Sequence, residues 1–256
     1  MIPYYSWTTI PLGPLTIQVW GLFVALGILL SLWVIKKRSV YNKISVELLY
    51  DIVLWTLVGG FIGARLVHIV AYEPSYFLAQ PLEMFKIWHG GLSSFGGFFG
   101  AAVGFFWYTK KKRLSSAQIY QIANELGFAA VFGWMVGRVG CAMIHDHWGV
   151  PCSCPFAIAT PSGGRLDMAL LEIIALIPLA IWLYVQRHSQ KFSYFFLPII
   201  LVYYGVLRFV LDFFRAIDLG GSDVRYFGLT PGQYSAIVVV GLGIFLLSST
   251  VKPNKV

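Results

Sequence analysis

Apolar residues in this chain run in long, charge-poor stretches rather than in the short alternating pattern of a half-buried strand. Windows of 18 or more such residues recur, and a bilayer core of about 30 Å is crossed by about 20 helical residues. Seven spans are predicted, at about 16–35, 48–72, 91–109, 115–142, 167–186, 193–213 and 231–250. Open sheets leave backbone groups unpaired in lipid, and these runs are far longer than barrel strands. The fold class expected is therefore an all-α membrane protein, a single polytopic domain over residues 1–256. The first span does not read as a cleavable signal. No basic segment precedes it, and it ends in Lys36-Lys37-Arg38 rather than at small residues.

The charges then orient the spans. Short loops on one face carry Lys36, Lys37, Arg38, Lys43, Lys110, Lys111, Lys112, Arg113, Arg187, Lys191, Lys252 and Lys255. The opposite face keeps Lys86, Arg165, Arg215 and Arg225. The positive-inside rule puts the N-terminus outside and the C-terminus in the cytoplasm. The net charge of +8 is mostly this topology signal. It is not a nucleic-acid footprint, because the bases are split among short loops and form no stripe. Charged residues are 12% of the chain, against about 25% in soluble domains.

The embedded polar residues are the candidate chemistry. Spans 2, 4 and 6 run outward, and late in them lie Arg65 and His68, Arg138, and Arg208 with Asp212. Spans 1, 3 and 5 run inward, and they open with Trp20, with "HGGLSSFGG" (89–97), and with Asp167 and Glu172. All are expected in the outer-leaflet layer. An arginine at the bilayer centre costs roughly 2.5–3.5 kcal/mol on insertion scales. Each could be offset by snorkelling or by pairing with Glu125, Glu172 or Asp212. Three at one depth point instead to an anionic lipid headgroup, since guanidinium forks match phosphate oxygens bidentately.

The glycines Gly90, Gly91, Gly96 and Gly97 fit close helix packing. They also fit a helix N-terminus that admits a phosphate. The cluster "HDHWGVPCSC" (145–154) offers His145, Asp146, His147, Cys152 and Cys154 as metal ligands, but neither H-x-H nor C-x-C is a common closed zinc spacing. No cofactor is assigned. The same histidines also fit polar caps or an acid–base role. The three cysteines, Cys141, Cys152 and Cys154, leave at least one thiol unpaired.

"PLGPLTIQVWGL", "GARLVHIVAYE", "HGGLSSFGGFFG", "GRVGCAMIHDHWG", "YYGVLRFVLDFFRAID" and "LTPGQYSAI" occur in this order. Together they resemble the bacterial prolipoprotein diacylglyceryl transferases over nearly the whole chain. The resemblance implies a seven-helix body with a small periplasmic head, in the inner (cytoplasmic) membrane. It implies transfer of the diacylglyceryl group of phosphatidylglycerol to the lipobox cysteine thiol of a prolipoprotein, at the outer leaflet. Arg138 and Arg208 match the family's phosphate-side arginines, Tyr204 the tyrosine of the second motif, and Asp146 the acidic residue before the closing Gly149. Arg65 and Asp212 also match motif positions.

Several positions depart from the family pattern. Phe95 stands at the histidine of the family's third-span motif, Cys141 at its asparagine and Trp20 at its tyrosine. Of a further motif only Arg165 and Glu172 persist. The chain gains His68, His145 and His147. The catalytic candidates are therefore Arg138, Arg208, Asp146, His145 and His147. The substrate-side candidates are Arg65, His68, Gly90, Gly91, Gly96, Gly97, Gly149 and Tyr204. The partners expected are phosphatidylglycerol, a prolipoprotein lipobox peptide and membrane lipids, with no nucleic acid. The rival reading is a non-catalytic lipid-binding or lipid-handling protein that kept the arginines and lost the base. A metalloenzyme on "HDH" and "CSC" is a third reading. A transporter is disfavoured, because the embedded charges line no route to the inner face.

Overall fold

The computed structural model describes residues 1–86, 91–189, 192–220 and 224–249. It is mostly helical. In chain order the helices are α1 (Val19–Asn42), α2 (Val46–Ala71), α3 (Pro74–Ala79), α4 (Ser94–Lys111), α5 (Ser116–Ile144), α6 (Met168–Gln186), α7 (Phe196–Leu211) and α8 (Pro231–Ser249). Among the described residues six helices are long and apolar enough to cross a membrane: α1, α2, α5, α6, α7 with its 3₁₀ extension to Phe214, and α8. Leu29, Ile181, Val238 and Phe245 are exposed on them. Lipid is the solvent such a surface requires.

Two expectations change. The first helix runs 19–42 rather than 16–35, because residues 15–18 pair as a strand instead of entering the helix. The third expected span corresponds to α4, which is not among the six. Its 18 residues begin at Ser94, are diluted by Gly96, Gly97, Gly100 and Gly104, and end in two lysines. The end of the seventh span, Thr250, lies outside the described residues.

The all-α expectation also omits six short strands: β1 (Ile2–Pro3), β2 (Thr9–Leu12), β3 (Leu15–Gln18), β4 (Trp148–Pro151), β5 (Ile158–Thr160) and β6 (Gly163–Asp167). β2 and β3 form a hairpin whose turn contains Gly13 at φ +61°. The other four form a sheet in the order β1-β5-β6-β4, with β1 parallel to β5 and the remaining pairs antiparallel. Strands this short carry no hydrophobic alternation long enough to register in the sequence.

The chain divides into two compact units. In the first, residues 1–34 and 123–256, the core joins α5, α6 and α7 through Phe128, Val131, Leu176, Leu179, Leu183, Phe196 and Ile200. α1 meets α5 closely at Gly27 and Gly133, where a Cβ on either glycine would strike the other's carbonyl. Asn124 is buried and satisfied, accepting from the Leu197 N–H at 2.9 Å and donating to the Ser193 carbonyl at 2.5 Å.

In the second unit, residues 35–122, α2 and α4 pack backbone to backbone. Gly59 and Gly63 face Gly96 and Gly100 so closely that a Cβ on any of them meets a facing backbone carbonyl or Cα. Ser45 caps α2 and Ser93 caps α4, each accepting from a backbone N–H three residues on.

Candidate active site

In the first unit one carboxylate on α6 gathers side chains from the two neighbouring helices α5 and α7. α5 presents Trp134 and Arg138 one turn apart, and α7 presents Tyr204 and Arg208 at the same spacing. Between them, on the second turn of α6, stands Glu172, only 2% exposed. Its Oε1 accepts from Trp134 Nε1 at 2.6 Å, Arg138 Nε at 3.0 Å and the Tyr204 hydroxyl at 3.2 Å. Its Oε2 lies 2.9 Å from Arg138 Nη2 and 3.7 Å from Arg208 Nη1. The Arg138 guanidinium also lies over the Trp134 ring, 5.0 Å from its centroid.

Arg208 is shared with a second carboxylate. Its Nη2 is 3.0 Å from Asp212 Oδ1, and Arg215 Nη1 is 4.0 Å from the same oxygen. Asp212 Oδ2 accepts from the Thr230 hydroxyl at 2.5 Å, and Thr230 with Gln233 forms the reciprocal cap that starts α8. Arg138, Arg208, Arg215, Glu172 and Asp212 together carry one net positive charge. Two buried carboxylates hold the guanidiniums in place, and the excess charge favours an anion.

The turn after α5 separates the two new histidines. His145 is 9% exposed and adopts φ +53°. Its Nδ1 is 2.7 Å from Asp167 Oδ2, its Nε2 3.1 Å from the Tyr5 carbonyl, and Tyr4 and Trp148 stack on the ring. Both ring nitrogens therefore face acceptors. Asp167 also caps α6 by accepting from the Leu170 N–H at 3.0 Å. His147 is partly exposed and bonds through Nδ1 to Asp146 Oδ1.

The remaining first-unit candidate is Gly149, where an added Cβ would lie 2.8 Å from Leu166, Met168 and the Phe214 carbonyl. The Gly149 carbonyl accepts from Arg165 Nη1 at 3.0 Å. Arg165 also forks onto Asp218 and holds that carboxyl below the usual carboxylate range.

The sulfurs of Cys152 and Cys154 are joined in a disulfide, and His145 is engaged by Asp167. The five possible ligands of the "HDH"/"CSC" cluster, read as a minor alternative, are therefore not brought together as one set. Instead Cys141, unpaired and buried, lies with Asp146 and His147 so that one ligand atom from each falls within 4.8 Å of the others.

In the second unit Arg65 is buried and directed at backbone oxygens. It donates to the carbonyls of Glu83 (2.5 Å), Met84 (3.0 Å) and Gly91 (3.0 Å), with Phe77 under its guanidinium. His68 stacks on Tyr72 beside Gly91, where a φ of +73° would strain any side chain and an added Cβ would crowd the imidazole. Gly96 belongs to the helix seam, whereas Gly97 has nothing nearer than 3.7 Å to its added Cβ. Gly90 and His89 lie outside the described residues.

Sequence reasoning named Glu172 as one possible arginine partner and left it out of the candidate set. A carboxylate inside an otherwise uncharged helix is the signal that marks it. Trp134, one turn before Arg138, carries no such signal. The role of Asp167 appears only once its partner His145 is located.

These features define a class: a helical multi-pass membrane protein with an arginine–carboxylate cluster inside the helix bundle. Within that class, the family model described as prolipoprotein diacylglyceryl transferase matches residues 8–249, and the chain belongs to that family. The phosphatidylglycerol–prolipoprotein diacylglyceryl transferase of Nitrosomonas europaea is 30% identical, the alignment covering 96% of this chain and 90% of that relative. The proteins of the same name from Oleidesulfovibrio alaskensis and Pseudomonas entomophila are 28% and 29% identical, over 99% and 96% of this chain and 96% and 95% of theirs.

Proposed function

We propose that this protein transfers the diacylglyceryl group of phosphatidylglycerol to the lipobox cysteine thiol of prolipoproteins, at the outer leaflet of the bacterial inner membrane. The full-length relatives carry the name of that activity. The observation that carries the reading here is the pair of arginines, Arg138 and Arg208, held by one buried carboxylate, Glu172. We take the chain as one polytopic membrane domain of seven spans, α4 being the third, with the N-terminus outside. The lysine and arginine distribution supports that orientation.

In the reaction the acceptor sulfur attacks the glyceryl carbon that carries the phosphate ester. The C–S bond forms, the C–O bond breaks, and its electron pair leaves on the oxygen of glycerol phosphate. Charge grows on that leaving group, and Arg138 and Arg208 act where it grows. Glu172 prevents the two guanidiniums from repelling each other, and the Tyr204 hydroxyl and Trp134 N–H fix its carboxylate. The thiol proton is lost at the edge formed by Asp146 and His147. His145, with both nitrogens engaged, orients the turn. In the second unit His68 and the Gly91 and Gly97 backbone are proposed lipid contacts, with Arg65 bracing the loop beside them. Gly90, by its motif position, is assigned to the same role.

One observation favours the rival, lipid binding without transfer: Phe95 occupies the family's histidine position and is exposed on the first turn of α4. The test is transfer of labelled diacylglyceryl from phosphatidylglycerol to a lipobox-cysteine peptide by purified protein in detergent. Wild type is expected to transfer, with Arg138→Ala and Arg208→Ala each slower by on the order of 10²–10³-fold. Phosphatidylglycerol binding that depends on Arg138, without transfer, would replace this reading with the rival.

A further inference from the structure

We propose that Cys141, Asp146 and His147 hold a zinc-class divalent cation whose fourth coordination position takes a thiol. Three different ligand types converge here from a stretch of seven residues. The backbone makes this possible. A non-glycine residue at φ +53° is uncommon and persists where its surroundings hold it. His145 is held by Asp167, the Tyr5 carbonyl and two aromatic rings. The reversal at His145 turns Asp146 and His147 back onto the last turn of α5, where Cys141 sits.

The ligand atoms lie within 4.8 Å of one another, whereas tetrahedral zinc with one sulfur needs separations of about 3.4–3.6 Å. Closing that difference takes rotation of the ligand side chains. Asp146 and His147 are both partly exposed, so they can rotate and the cation can enter. A thiolate, a carboxylate and a neutral imidazole carry two negative charges, matching a divalent cation. The thiolate and imidazole select zinc over magnesium or calcium. Cys152 and Cys154, being joined to each other, do not compete.

Three protein ligands and an open fourth position are the pattern of a catalytic rather than a structural zinc. A thiol entering that position is deprotonated outright. Its proton leaves to water, and the bound thiolate is the nucleophile. This last step rests on the transfer reading above and assigns the loss of the thiol proton at the Asp146–His147 edge to coordination by the cation. The cation site itself rests on the geometry alone.

The test uses full-length protein in detergent, stripped with chelator and titrated with Co²⁺. One equivalent is expected to give a sulfur-to-cobalt charge-transfer band and tetrahedral visible bands. Cys141→Ser should abolish the charge-transfer band, while Cys152→Ser should leave it. Asp146→Asn and His147→Ala should each weaken binding by at least roughly 100-fold, beyond the effect of losing an outer-shell partner. A lipobox-cysteine peptide should shift the visible bands, and its Cys→Ser counterpart should not. Absence of the bands in wild type, or their persistence in Cys141→Ser, overturns the site. Chelated protein that still transfers diacylglyceryl overturns the metal's role and leaves the transferase standing. Cobalt bands without transfer leave the metal site standing and sink the transferase reading.

Discussion

Glu172 grips Arg138 with both oxygens: Nε donates to Oε1 at 3.0 Å, and Nη2 lies 2.9 Å from Oε2. The fork is nearly buried, with the Glu172 and Arg138 side chains 2% and 11% exposed. Such a pair gives little net stability over an apolar packing, yet breaking it strands a charge.

Glu172→Gln therefore leaves two guanidiniums facing each other with no carboxylate between them. It is expected to destabilise the protein by about 3 kcal/mol, read as a lower thermal midpoint in detergent. It should also reduce transfer, because Arg138 loses its orientation. A stable, fully active Glu172→Gln protein would remove Glu172 from the site.

The two histidines should separate cleanly. His145→Ala strands Asp167 at the start of α6 and is expected to cost about 2–3 kcal/mol of stability. His147→Ala breaks only a partly exposed contact and should change stability by no more than about 0.5 kcal/mol. Its transfer rate should nevertheless fall by on the order of 10²-fold or more. Measuring midpoint and rate for both variants checks the assignment, and the reverse pattern would exchange their roles.

Acid should weaken the sheet region through Asp218. Arg165 holds this carboxyl below its ordinary value, so the pair stabilises above the unfolded carboxyl's pKa. That contribution is lost as pH falls from about 4 through the lower folded value. Both the pair and the loss are small because Asp218 is exposed. Asp218→Asn should flatten the acid limb of the midpoint-against-pH curve and leave the neutral midpoint nearly unchanged.

Four glycines of the helix seam in the second unit, Gly59, Gly63, Gly96 and Gly100, leave no room for a side chain. Gly100→Ala pushes a methyl into the Gly59 carbonyl and toward the Gly63 Cα at 2.9 Å. A loss of about 1–3 kcal/mol is expected from overpacking. Gly97→Ala, with its nearest neighbour at 3.7 Å, should be tolerated. Thermal unfolding of the two variants side by side makes the comparison.

The sequence by itself determined the helical membrane class. A helix satisfies its backbone within its own segment, so a long apolar run is sufficient evidence for one. The seven long helices, α1, α2, α4, α5, α6, α7 and α8, all start within three residues of the expected spans. The arginines Arg138 and Arg208 were legible too, because a charge in an apolar run stands out locally. Contacts between distant segments carried no local mark. That Glu172 is the common acceptor depends on how α5, α6 and α7 face one another. That His145 is spent on Asp167 while Cys141 joins Asp146 and His147 depends on one left-handed residue and the sheet around it. The strands escaped notice because two to five residues are too few for a periodic signal, and only their partners hold them in place.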